Sequence, residues 1–370
     1  MFLAEAKKEL DGIIKKIDIN MVKFDRKFPC IARDGVYSGR LSGDGDWTGS
    51  FWTGMVILAW KITEDRKYLE YLERYYPVYC EKLNGYTDHD LGFLYQLYSV
   101  AMYRATEDEK YYSLSVRAAE MLYARYNAKG QFIRAWGNLD DDYRSGKSII
   151  DCMMNLPFLY AVTDLTQDKK FENAAKAHAE SALKNNIRAD YSSYHTFDCD
   201  PVTGEPIGGF NEGGYSDESC WSRGEAWGIY GFWLTYLRTG SSQYRDAAIN
   251  MFDYFTSNLR DDCIPYWDFK LPSYEADTPI DTSAALITAC AALEMSKTND
   301  GERFKDTAER ILQSIMSGYS NVNNPNREGL AEKSFGNSED GYLQECMIWG
   351  DYFYMEALAK VLGYETDMWN

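Results

Sequence analysis

Two aspartates stand where an ionised side chain is out of place. Asp90 in HDLGFLYQLYSVAMY (89–103) and Asp151 in SIIDCMMNLPFLYAV (148–162) each interrupt an otherwise apolar run. A carboxylate in such surroundings is costly unless it is paired, hydrogen-bonded or used in catalysis. Two carboxyl groups converging on a pocket the size of a sugar can protonate one atom of a substrate and activate a water elsewhere on it. The competing explanation is a buried structural pair. Other acids at the mouths of apolar runs have a simpler reading: Asp281 of DTSAAL and Asp217 of SDES are expected to cap helices or hold local structure.

The chain has three histidines. His89 lies between Asp88 and Asp90 at the entrance of the second apolar run. His195, in YSSYHTFDCD, falls in a long loop rich in Gly, Asp and Tyr, the kind of segment that carries binding residues. His178, in AAKAHAE, falls on an amphipathic helix and is expected to be exposed. His89, His195, Asp198 and Asp200 are conceivable metal ligands, but no HxxxH, HExxH or Asp-rich calcium loop accompanies them, so no metal is expected. LDDDYR (139–144) is similar to the acidic runs that hold magnesium in terpene cyclases; lying outside every apolar run, it is read as a solvated loop.

Trp47, Trp136, Trp221 and Trp227 all fall at loops or at the entrances of apolar runs. Core packing accounts for some of them. Indole faces beside acids also suit the stacking of sugar rings, and Arg223, set among apolar residues, needs an anionic partner, internal or ligand.

The elements that must position these residues are helical. Proline is scarce, runs of alternating polarity are few, and six segments are apolar nearly all round: 47–60, 89–103, 148–162, 220–237, 281–295 and 345–362. Each follows an amphipathic candidate such as EKYYSLSVRAAEMLYARY, whose Tyr111, Leu114, Ala118, Met121 and Leu122 keep helical spacing. Buried segments recurring every ~40 to 70 residues predict stacked helical hairpins. The expected fold class is all-α, an (α/α)6 barrel or six-hairpin toroid, with an open helical solenoid as the competing arrangement. No break in composition marks a linker, so residues 1–370 are read as a single domain.

Composition narrows the function. Hydrophobic content of 45% and charged content of 26% are those of a globular protein. A net charge of −18 argues against nucleic acid and anionic membrane as partners, because the summed field repels phosphates. The eight cysteines show no CxxC pair and are expected to be reduced packing residues. The first residues, MFLAEAKKELDGIIKKI, mix charges through their apolar positions, so neither a signal peptide nor a membrane span is expected and a cytoplasmic location is the default. Aromatic content is high at 15%, with 30 Tyr and 10 Trp, in keeping with a carbohydrate ligand.

Taken together, DWTGSFWTGM (46–55), HDLGFLY (89–95), AWGN (135–138), SIIDCMMNLPFLY (148–160), YHTFD (194–198), GYSDESCWSRGEAWGIYGF (214–232) and WGDYFYMEAL (349–358) resemble the unsaturated glucuronyl hydrolases, glycoside hydrolase family 88, across essentially the whole chain. The resemblance implies removal of a terminal 4,5-unsaturated glucuronic acid from oligosaccharides left by polysaccharide lyases, glycosaminoglycan fragments of the chondroitin and hyaluronan type included. It further implies hydration of the C4=C5 bond in place of attack at the anomeric carbon. Asp151 would be the general acid and base and Asp90 its partner. His195, Trp136, Arg223 and Trp227 would line the uronate subsite, with Trp47 and Trp221 nearby. No cofactor or metal is implied, the partner is the oligosaccharide itself, and the chain would be a monomer or homodimer. Two positions depart from the family, which carries Gln where this chain has Gly213 and Glu225. The first removes an amide from the binding loop, and the second is expected to bring a negative charge near Arg223. Alternatives are the unsaturated rhamnogalacturonyl hydrolases, a sugar epimerase of the same fold and a non-catalytic sugar-binding barrel.

Overall fold

Each of the six apolar segments contributes a helix. A computed structural model describes every residue except 142–143, 299–300, 337–343 and 370. The chain divides into two compact units: Met1–Tyr79 with Asn258–Trp267 and Ser273–Asp367, and Cys80–Ser257 with Asp268–Pro272 and Met368–Asn370.

In the first unit the apolar helices are Gly49–Thr63, Thr282–Met295 and Ile348–Val361, and residues 282–295 are buried without exception. Phe2–Phe24 and Glu302–Gly318 are amphipathic and bury one face. Asp281 caps its helix as expected, accepting the N–H groups of Ser283 at 2.9 Å and Ala284 at 3.4 Å. The carboxylate of Asp351 is also structural: Tyr37 Oη and the N–H groups of Leu330 and Ala331 donate to it, and burial pushes it up to about 7. Lys360, its side chain 7% exposed, joins Glu294 and Glu356 across two apolar helices.

In the second unit the amphipathic helices are Glu109–Tyr123, Lys169–Asn185 and Ser242–Ser257. Asp108 and Asp168 cap the first two through the N–H groups of Lys110 and Lys170. The apolar helix Ser222–Thr239 is continuous, whereas the other two are composite. Segment 89–103 begins as Leu91–Tyr95, widens into a π-turn over Gln96–Val100, and resumes as Ala101–Thr106. Segment 148–162 is a strand, Lys147–Ile149, then a 3-10 turn, Ile150–Met154, then the helix Leu156–Thr166, which Pro157 opens where an N–H has no partner to lose. Asp90 and Asp151 therefore sit at the approaches to their helices and not inside them. Lys147–Ile149 pairs antiparallel with Thr196–Cys199, which pairs with Pro206–Phe210.

The exposed position expected for His178 is wrong. Its helix is covered by the hairpin Tyr126–Asn127/Phe132–Ile133, the side chain is buried, and Ile133 N–H donates to its Nδ1 at 2.9 Å. Burial drives its pKa down to about 3, so the ring is neutral.

Candidate active site

The small sheet brings His195 to Asp151. Ile149 stands opposite Thr196 in the register, and Ile150 N–H donates to His195 O at 2.9 Å, so the residue leaving one strand faces the residue entering the next. His195 Nε2 lies 3.5 Å from Asp151 Oδ1. Gly213 N–H donates to His195 Nδ1 at 3.2 Å, and Thr196 Oγ1 lies 3.0 Å from the same atom. A nitrogen that accepts from a backbone amide carries no proton, so the ring carries its N–H at Nε2, facing Asp151. Asn211 Oδ1 accepts the backbone N–H of His195 at 2.6 Å while its amide donates to Ser219 O at 2.6 Å, which pins the His195 backbone to the 211–219 loop. Trp221 meets the ring edge-on at 5.1 Å and Trp136 stands at 6.0 Å. Asp151 Oδ1 is buried without a hydrogen bond among the described residues, and its carboxyl retains slight exposure.

Asp90 occupies the N-cap position of Leu91–Tyr95, yet its side chain makes no capping bond. It accepts instead from Asn155 Nδ2 at 3.3 Å, and Asn155 Oδ1 accepts Phe93 N–H at 2.8 Å. Asn155 thus does the work of the cap and leaves the Asp90 carboxylate to other uses. The contact requires Gly92, because a Cβ there would lie 2.4 Å from Asn155 Cα. His89 Nε2 is 3.5 Å from Asp90 Oδ1, and its backbone N–H is held by Ala135 O at 2.8 Å. Burial first, then the charge of Arg125, holds the His89 pKa well below its ordinary value. Each candidate carboxylate is therefore faced by an imidazole nitrogen at the same distance.

A buried cation, Arg125, lies behind Asp90. Its Nε donates to Arg134 O and its Nη2 to Ala135 O and Gly137 O, tethering the loop that carries Trp136. Burial, then repulsion from Arg134, lowers its pKa to about 10, while Asp88 and Asp90 oppose the shift. Arg134 finishes the loop by donating to Trp136 O, Leu139 O and Asp141 O. Of the acidic run read as a solvated loop, Asp142 and Tyr143 lie outside the described residues.

Arg223, 4% exposed, places its guanidinium 4.4 Å over the Trp221 ring, so that indole is bounded by a cation on one side and by His195 on another. Gly213 packs on the same indole: a Cβ there would lie 3.0 Å from Trp221 Cε3, so a larger residue would press the ring aside. Trp227 is fully buried and packs on Phe93 at 5.2 Å, which makes it a backing residue and not a stacking face. Trp47 belongs to the first unit, where it stacks on Trp349 at 5.3 Å. The conceivable metal ligands do not assemble: Asp200 is engaged in a turn with the N–H groups of Val202 and Thr203, and among the described residues no three His, Cys, Asp or Glu form a metal-holding group.

The negative charge expected at Glu225 is not there. The side chain is completely buried, its Oε2 accepts Ser193 N–H at 2.8 Å, and burial raises its pKa to about 8, so at neutral pH it is the protonated acid. It thereby approximates, in charge and shape, the Gln of the family. Its folded pKa is raised above 4.5, so its contribution to stability is full below about pH 4.5 and is lost as pH rises toward 8, at about 1.4 kcal/mol per pH unit. Glu225→Gln should flatten that slope. Tm measured from pH 5 to pH 8 with both proteins checks this, and parallel curves would refute it.

Residues 26–367 match Glycosyl Hydrolase Family 88. The chain is 36% identical over 363 residues, 95% of each chain, to an unsaturated glucuronyl hydrolase from Bacillus sp. (strain GL1). It is 34% identical over 368 residues to an unsaturated chondroitin disaccharide hydrolase from Streptococcus agalactiae, covering 96% of this chain and 91% of that one. The crystal structure of the Bacillus enzyme superposes with a TM-score of 0.91 at 34% identity, covering 98% of both chains. A likeness of that extent carries the fold class as well, the all-α (α/α)6 barrel that the six apolar segments lead one to expect. The chain belongs to Glycosyl Hydrolase Family 88.

Proposed function

We propose that this chain removes the terminal 4,5-unsaturated glucuronic acid from lyase-generated glycosaminoglycan oligosaccharides by hydrating the C4=C5 bond. The observation that carries the reading is a pair of carboxylates, Asp151 and Asp90, each faced by an imidazole nitrogen at 3.5 Å, in a chain of this family. Asp151 gives its proton to C4, and positive charge develops at C5 and the ring oxygen. Asp90, held by Asn155, stabilises that charge. Water adds to C5 and returns a proton to Asp151, whose carboxylate form is steadied by the His195 Nε2–H. The hemiketal opens and the remaining sugar leaves. Arg223 and the walls of Trp221 and Trp136 suit a flat, carboxylate-bearing ring. In deuterium oxide the released uronic acid should carry deuterium at C4. An unlabelled C4 would exclude hydration.

No metal enters this scheme, because an enol ether is reactive enough for protonation by a carboxylic acid. Turnover should persist after exhaustive chelation, and a loss restored by a divalent cation would overturn that. The reading takes the two units as one catalytic domain working as a monomer or homodimer in the cytoplasm. The cytoplasmic part of the reading is supported by eight free cysteines, as a reducing compartment keeps them. Among the described residues no helix is long and apolar enough to cross a membrane.

A further inference from the structure

On a chain of net charge −18, one groove is strongly basic. It runs along the helix Phe2–Phe24 beside the 322–327 segment, encloses about 580 Å3, and is lined by Lys7, Lys8, Lys15, Lys16, Lys23 and Arg327 against a single acid, Asp11. We propose that this groove is a second saccharide site, binding a short anionic oligosaccharide through its sulfate or carboxylate groups.

Three of the cations are committed to structure. Lys16, nearly buried, donates to Asn324 O at 2.9 Å and Arg327 O at 2.5 Å and so fastens the segment to the helix. Lys23 is paired with Glu328 at 2.9 Å, and Lys7 with Asp11. The side chains of Lys8, Lys15 and Arg327 have no hydrogen-bonded or ion-paired partner among the described residues. Like charges gathered on one helix face repel one another, and an anion in the groove relieves that repulsion. The doublets Lys7–Lys8 and Lys15–Lys16 are two helical turns apart, roughly 12 Å at 1.5 Å per residue, comparable with the repeat of a charged disaccharide. The volume lies within the range of small-molecule sites, roughly 300–1,000 Å3. An extended nucleic acid or an anionic bilayer would reach beyond the groove of a chain whose net charge is −18, whereas a short oligosaccharide would not.

The choice of a saccharide rests on the activity proposed above, but the two fail separately. The probe is a chondroitin sulfate hexasaccharide with a saturated non-reducing end, which has no C4=C5 bond to hydrate, titrated calorimetrically into the full chain. Binding should be saturable and should weaken as salt is raised. Lys8→Glu/Lys15→Glu and, separately, Arg327→Ala should each weaken it, the double variant by roughly tenfold or more. Both variants should turn over the unsulfated unsaturated disaccharide as the wild type does, which also reports that they fold; Lys8→Gln/Lys15→Gln replaces the double variant if the charge reversal does not fold. Absence of binding at millimolar probe, equal binding by wild type and variants, or binding of polyglutamate in preference to the hexasaccharide would each overturn the proposal.

Discussion

Asp151→Asn should lower kcat by about a thousandfold or more while leaving the fold and substrate binding in place. The amide keeps the shape of the carboxyl group and still offers an oxygen to the His195 Nε2–H 3.5 Å away, so the geometry survives. What is lost is the proton delivered to C4 and the base that recovers one from water. Calorimetric titration of the variant with the unsaturated disaccharide should give a Kd near the wild-type KM, and its ultraviolet trace should stay flat. Turnover at the wild-type rate would remove Asp151 from the mechanism.

Asp90→Asn should cost about a hundredfold or more, mainly in kcat. If Asp90 stabilises the positive charge that develops at C5, its negative charge matters in the transition state and much less in the bound ground state. Its surroundings are built to keep that charge available: Asn155 takes over the capping of the helix, and the His89 ring beside it is neutral. A rise in KM with kcat unchanged would reduce Asp90 to a binding residue.

The helices were legible because apolar periodicity is a local property, and each of the six apolar segments contributes a helix. The two carboxylates were legible for the same reason, as charges in apolar runs. Their exact settings were not. The strand Lys147–Ile149 is three residues long and its partner is nearly fifty residues away in sequence, so nothing local announces the pairing that brings His195 to Asp151. Asn155 and Asn211 were missed because an Asn before a helix or in a loop resembles any cap or turn residue, and only the contacts with Asp90 and His195 distinguish them. Arg125 gave one faint signal, an arginine ending an amphipathic helix among aromatic residues. The errors have one cause. Chemical type alone reads His178 as exposed and Glu225 as charged, whereas burial by segments distant in sequence makes both neutral.

The measurement that tests the central claim most directly is the ultraviolet absorbance of the conjugated C4=C5 bond in an unsaturated chondroitin disaccharide mixed with the purified protein. Hydration by Asp151 predicts that the absorbance decays with wild type and is static with Asp151→Asn. An unchanged signal with wild type, or decay at the same rate with the variant, would contradict it.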